Sequence, residues 1–120
     1  MYNNQLQNTK EYSSKSELIY KNFTQLVMQN YNHTRNVAWY AKKLKISNIH
    51  LCTTVKKVTG NTCAEIIAHM VIMDAKSQLK STHLSIQEIS NSLNFANTSF
   101  FGKYFKRYVG MSPLTYRNNG

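Results

Sequence analysis

The sequence predicts an all-α protein of about seven helices, on three observations. Apolar residues recur at three- and four-residue steps along most of the chain, the spacing of helices with one buried face. Three of these runs open on Ser or Thr followed three residues later by Glu: Ser14 to Glu17, Thr62 to Glu65 and Ser85 to Glu88. In that capping box each side chain takes up a free backbone N–H of the new helix. The pattern also repeats: setting Gly60 over Gly110 sets Leu51 over Phe101, Val55 over Phe105 and Lys56 over Lys106, an offset of about 50 residues. A repeat of that kind is an architectural signal.

Taken in order, residues 1–13 are rich in Asn and Gln without periodicity and read as a flexible lead-in. From Ser14 a brace helix carries Leu18, Ile19, Phe23, Leu26, Val27 and Tyr31 on its apolar face. Residues 32–36 are turn and cap types. Val37, Tyr40, Ala41 and Leu44 then give a short helix with Lys42, Lys43 and Lys45 at its C-terminal end, where cations suit the helix dipole. Ser47 caps the next helix, whose buried face is Leu51, Val55 and Val58 before Gly60. Thr62 opens a longer helix with Ile67, Met70, Val71, Ala75 and Leu79 along one stripe, ending near Lys80. At 1.5 Å per residue its roughly 19 residues span about 28 Å. A dimer seam is the alternative use of this helix, against which its stripe falls short of the three or four heptads of a coiled coil.

Residues 84–117 repeat the first half in sharper form. The Ser85 box starts a helix of about two turns, with Ile86, Ile89 and Leu93 apolar, that breaks at Asn94. After Phe95-Ala96-Asn97, apolar spacing resumes at Phe101, Tyr104, Phe105 and Tyr108, with Lys103, Lys106 and Arg107 on the other side. Gly110 ends that helix and Ser112-Pro113 starts another as N-cap and N1 proline. Two short helices joined by a tight turn, the second basic and polar on its wet face, describe a helix-turn-helix. Leu44 aligns with Leu93 only if the second copy has one extra turn residue. The fold class is thus all-α, two helix-turn-helix subdomains joined by a long linker helix: lead-in 1–13, brace and first unit 14–60, linker helix 61–81, second unit 82–120.

Ser85-Ile86, Glu88-Ile89, Leu93, Phe95, Ser99-Phe100-Phe101, Tyr104-Phe105-Lys106, Gly110, Ser112-Pro113 and Tyr116-Arg117 together resemble the signature of the AraC/XylS family of bacterial transcription regulators. With the first unit included, the resemblance covers residues of about 16–117. It implies sequence-specific binding of double-stranded DNA, with two reading helices entering successive major-groove segments about one DNA turn, roughly 34 Å, apart. It also implies RNA polymerase as a further partner. Family members occur free-standing or behind an N-terminal sensor domain, and the polar lead-in suits the second form.

Charge points the same way. Lys and Arg outnumber Asp and Glu 15 to 5, a net charge of +10, the footprint of a polyanion binder. No acid lies between Glu17 and Glu65 and none follows Glu88. A non-specific architectural DNA- or RNA-binding protein would share this charge and is the alternative. Enzymes are disfavoured: His33, His50, His69 and His83 are scattered without a neighbouring acid, and no catalytic constellation stands out. Cys52 and Cys63 form no CxxC or zinc spacing, and read as thiols of a reducing cytoplasm. No cofactor, metal or membrane partner is implied, and no apolar run approaches the roughly 18 residues of a membrane span.

The family reads bases from the N-terminal half of each second helix, which carries onto Ile49, Cys52 and Thr53 in the first unit and Thr98, Ser99 and Lys103 in the second. Lys103 can donate to guanine O6 and N7, while Thr98 and Ser99 serve equally as base contacts or as local caps. Ile49 and the Thr53 methyl can pack on thymine, which discriminates less, so the first unit is expected to supply mainly affinity. Cys52 reads as a small spacer, not a nucleophile. Phosphate contacts are expected from Lys42, Lys43, Asn48, His50, Lys56, Lys57, Lys106 and Arg107, supplemented by helix N-terminal N–H groups. Gly102 either lets the backbone approach DNA or is incidental. Trp39, Tyr40 and the Phe/Tyr cluster read as core and packing surface and not as base-stacking platforms, since they fall at helical intervals.

Overall fold

The computed structural model describes residues 2–119 as backbone and residues 15–119 with their side chains. Seven helices make up the described residues: α1 Tyr2–Asn30, α2 Val37–Lys43, α3 Asn48–Thr59, α4 Cys63–Ser81, α5 Ile86–Ser92, α6 Thr98–Val109 and α7 Pro113–Asn118. The chain divides into two compact units, one of residues 1–29 with 36–66 and one of residues 30–35 with 67–120.

The helix starts follow side-chain chemistry. Asn36, Ser47, Ser85, Asn97 and Ser112 cap α2, α3, α5, α6 and α7, each accepting a backbone N–H from the first turn. The Ser85–Glu88 box is closed in both directions at 3.1 and 3.0 Å. Its counterpart at Thr62 and Glu65 closes at 2.8 and 3.1 Å and opens α4. Gly60 and Gly110 end α3 and α6 in the left-handed region, φ +79° and +93°, where a Cβ would be strained. The first helix differs from expectation at its start. It runs from Tyr2, through the residues read as a lead-in and past the Ser14 box, in a stretch that holds no Pro or Gly to stop a helix.

In the first unit the core gathers Phe23 and Val27 of α1, Tyr40 and Ala41 of α2, Leu51 and Val55 of α3, and Cys63 at the start of α4. Phe23 meets Tyr40 edge to face at 5.7 Å between ring centres. The buried residues of the second unit are Ile67, Val71, Ala75 and Leu79 of α4 together with Ile89, Leu93, Phe95, Phe101 and Phe105. Its centre is aromatic, with Phe101 6.0 Å from Phe105 and 5.2 Å from Phe95, and Phe105 5.6 Å from Tyr116.

Three residues read onto apolar faces are exposed: Leu18, Val58, and Tyr108 at the position of α6 equivalent to Val58, which is 37% exposed. Leu18 is 56% exposed, because the inward stripe of α1 runs through Phe23 and Val27, and a residue five positions before Phe23 points away from it. Val58 is 36% exposed at the last turn of α3, where the helix leaves the core for Gly60.

Candidate nucleic-acid interface

Helices α3 and α6 are both twelve residues long and share one frame, N-cap Ser47 against Asn97 and C-cap Gly60 against Gly110. Ser47 Oγ accepts from the His50 N–H at 3.0 Å, and Asn97 Oδ1 from the Phe100 N–H at 2.9 Å. The caps fix where each helix begins, and so which residues occupy its first two turns. The inward side of α3 is Leu51, Thr54 and Val55 and that of α6 is Phe101 and Phe105, and the positions opposite them stand in solvent.

Every residue predicted to read bases lies on that outer surface: Ile49, Cys52 and Thr53 on α3, and Thr98, Ser99 and Lys103 on α6 are all exposed. Ile49, at 79%, is the most exposed large apolar side chain among the described residues. The backbone set, Lys42, Lys43, Asn48, His50, Lys56, Lys57, Lys106 and Arg107, is exposed as well. Two of these cations sit on rings, Lys43 over Trp39 at 5.4 Å and Arg107 over Tyr108 at 5.5 Å, which limits how far their heads roam. Around Gly102 nothing lies within 4 Å of where a Cβ would stand, so the fold itself does not require glycine there.

Lys56 has a neighbour the charge pattern did not anticipate. The Thr62 backbone N–H and then its side chain hold the Glu65 carboxyl below its ordinary range, and the charge of Lys56 adds to this.

Sequence reasoning missed two features. Phe100 is 58% exposed on the first turn of α6 beside Ser99. The available signal was angular: successive helical residues are about 100° apart, so Phe100 and the fully buried Phe101 cannot share a face. The second is the Cys52 environment. Cys63 lies buried behind it, and burial, reinforced by the Cys52 thiol, pushes the Cys63 thiol up to about 12. Ten intervening residues hid that proximity.

The described residues thus hold two helix-turn-helix units with cationic outer surfaces, the class of the double helix-turn-helix DNA-binding module. The helix-turn-helix domain family matches residues 40–119. The chain belongs to the AraC/XylS family of transcription regulators. It is 30% identical over 112 residues to the Msm operon regulatory protein of Streptococcus mutans, covering 93% of this chain and 40% of that protein. With the raffinose operon transcriptional regulatory protein RafR of Pediococcus pentosaceus it shares 28% identity over 93 residues, 78% of this chain and 34% of the relative. The chain therefore spans well under half the length of both.

Solved structures share the fold. The C-terminal domain of AraT, a response regulator from Geobacillus stearothermophilus, superposes with a TM-score of 0.79 at 23% identity, over 85% of each chain. The DNA-binding domain of AdpA, solved in complex with a target DNA, gives 0.71 at 18% identity over 79% of this chain and 86% of that one. Among the described residues no helix is long and apolar enough to cross a membrane.

Proposed function

We propose that this chain is the double-stranded DNA-binding part of a sequence-specific transcription regulator, with α3 and α6 each entering a major-groove segment. The observation that carries this is the shared frame of the two helices. Capped alike and buried alike, they turn the same helical positions outward, and those positions hold hydrogen-bonding or apolar side chains flanked by cations. Family membership supports the same reading.

Lys103, Thr98 and Ser99 read base edges in the second unit, and Phe100 adds an apolar contact for a thymine methyl. Ile49, Cys52 and Thr53 pack on the groove in the first, contributing chiefly affinity. Lys42, Lys43, Asn48, His50, Lys56, Lys57, Lys106 and Arg107 hold phosphates, which sets register but carries no sequence information. RNA polymerase, and a sensor domain on the same polypeptide, are the further partners this proposal includes.

Selection from a randomised duplex library tests the reading. The expected outcome is one asymmetric site, bound about a thousandfold or more over random duplex, with sharper preference under α6 than under α3. Neutralising about six phosphates makes log affinity fall with log salt at a slope near −5. Equal affinity for every duplex would point to an architectural role, and tighter binding to RNA would exclude the groove-reading mechanism.

A further inference from the structure

The turn leading into α6 is gripped from far along the chain. Residues 30–35, which follow α1, belong to the second unit. From this segment the Tyr31 hydroxyl donates to Asp74 Oδ2 at 2.7 Å, and the His33 carbonyl accepts from Asn94 Nδ2 at 2.6 Å. Arg35 completes the attachment, with Nη1 donating to the Leu93 carbonyl at 2.9 Å and Nη2 to the Asn94 carbonyl at 3.3 Å. Its guanidinium carbon stands 3.8 Å from the centre of the Phe95 ring and 5.6 Å from that of Tyr104.

Each contact answers a need of the turn. Carbonyls at a helix C-terminus lack intrahelical partners and form the negative end of the dipole, and Leu93 is the C-cap of α5. A planar guanidinium offers two donors in fixed geometry and a flat face for an aromatic ring, which an ammonium does not. Asn94 is one of the two non-glycine residues with positive φ among the described residues, at +60°, so the chain turns sharply where Arg35 holds it. Phe95 lies two residues before the α6 N-cap and Tyr104 lies on α6 itself. One side chain therefore ties the end of α5, the turn and the recognition helix together.

We propose that Arg35 is a positioning residue for DNA reading: it sets the pitch of α6 on α5, and thereby where Thr98, Ser99 and Lys103 meet base edges, without touching a base. This rests on the DNA-reading function proposed above. Hydrogen bonds to base edges weaken steeply with angle and distance, so a small rotation of α6 erodes discrimination, whereas flexible lysines on phosphate tolerate it.

Two variants of the full chain test it, Arg35→Lys, which keeps the charge without the fork, and Arg35→Met, which keeps only an apolar stem. Hydrogen exchange should speed up about tenfold at the backbone amides of residues 95–101 in both, with those of α3 unchanged. Library selection should show base preference under α6 falling about fivefold or more, with preference under α3 unchanged and random-duplex affinity within about twofold. Wild-type behaviour of Arg35→Lys in both measurements would reduce Arg35 to a charge and overturn the inference, as would an unchanged selection profile in both variants. Loss of helical circular dichroism in both would make Arg35 a folding residue and overturn it too; if only Arg35→Met unfolds, Arg35→Lys decides. A wild-type chain that selects no sequence would remove the DNA-reading function and this inference with it, whereas wild-type selection with unaltered variants removes the inference alone.

Discussion

The two helix-turn-helix units reach the same frame through turns of different length. In the first, residues 44–47 link α2 to α3; in the second, residues 93–97 link α5 to α6. The early part of each turn is the same device. Leu44, Lys45 and Ile46 donate to the carbonyls of Tyr40, Lys42 and Ala41, and Leu93, Asn94 and Phe95 to those of Ile89, Asn91 and Ser90, with Lys45 and Asn94 both left-handed at φ near +60°. The added residue therefore falls between Phe95 and Asn97. The longer turn carries extra side-chain bonds, from Ser90 Oγ to the Asn97 carbonyl at 3.2 Å and from Arg35 to the carbonyls of Leu93 and Asn94. A lengthened turn keeps its helix in register when neighbouring side chains satisfy the carbonyls it frees.

The inward residues of the two helices also differ, aliphatic Leu51 and Val55 on α3 against aromatic Phe101 and Phe105 on α6, and this predicts the largest difference between the units. Phe101→Ala should destabilise the second unit by about 3–5 kcal/mol, against about 2–5 kcal/mol for Leu51→Ala at the equivalent position of the first, with the larger ring leaving the larger cavity. Urea titration separates them, because Trp39 is the single tryptophan and its fluorescence reports the first unit. A larger loss for Leu51→Ala would reverse the comparison. Next in size, Lys103→Ala should cost about 1–3 kcal/mol on the selected duplex and flatten preference at one base step, whereas Thr53→Ala, its counterpart, should cost under about 1 kcal/mol. Equal losses for Lys103→Ala on selected and random duplex would remove it from the reading set.

Gly102→Ala sharpens the comparison at a third position, since Cys52 stands at the equivalent place on α3. Open space and helical backbone mean that alanine should stabilise the chain by about 0.5–1 kcal/mol. A rise in thermal midpoint together with weaker duplex binding would show that glycine serves close approach to DNA.

The smallest expected difference is in alkaline stability. In the first unit Cys63 is raised from an ordinary 9 to about 12, chiefly by burial, and in the second Tyr31 from 10 to about 12, chiefly by its bond to Asp74. Burial pushes Tyr104 in the same direction. A raised pKa stabilises the folded protein below the unfolded value, and that contribution is lost as pH climbs toward the folded value. The first unit should therefore begin to weaken near pH 9 and the second near pH 10, read by Trp39 fluorescence and by helical circular dichroism against pH. Simultaneous loss from pH 9 would indicate that the units unfold as one.

Much of the fold was legible because helix boundaries are written in short-range chemistry. Ser47, Thr62, Ser85 and Ser112 place their own N-caps, Gly60 and Gly110 their own ends, and the offset between Leu44 and Leu93 exposes the extra turn residue. Leu18 and Val58 escaped that logic, since apolar character was weighed without the angle at which each leaves its helix. Phe100 escaped for the same reason. For the candidate site, the six base-facing residues were carried over from the family resemblance and the eight backbone residues from charge and helix position; all fourteen are exposed, but the nearness of Lys56 to Glu65 and of Cys52 to Cys63 was not legible.

By itself, then, the order of residues determined the boundaries of α2 to α7 but not the start of α1, and it determined the duplication and the basic charge, because each depends on groups a few positions apart or on composition; the family came from resemblance to a known signature. Tertiary structure alone decided what holds the second turn. Tyr31 finds Asp74 across 43 residues, Arg35 finds Leu93 across 58, and Asn94 finds His33 across 61. No local pattern announces such pairs, because they form only once the intervening helices have packed and brought distant carbonyls within reach of a donor.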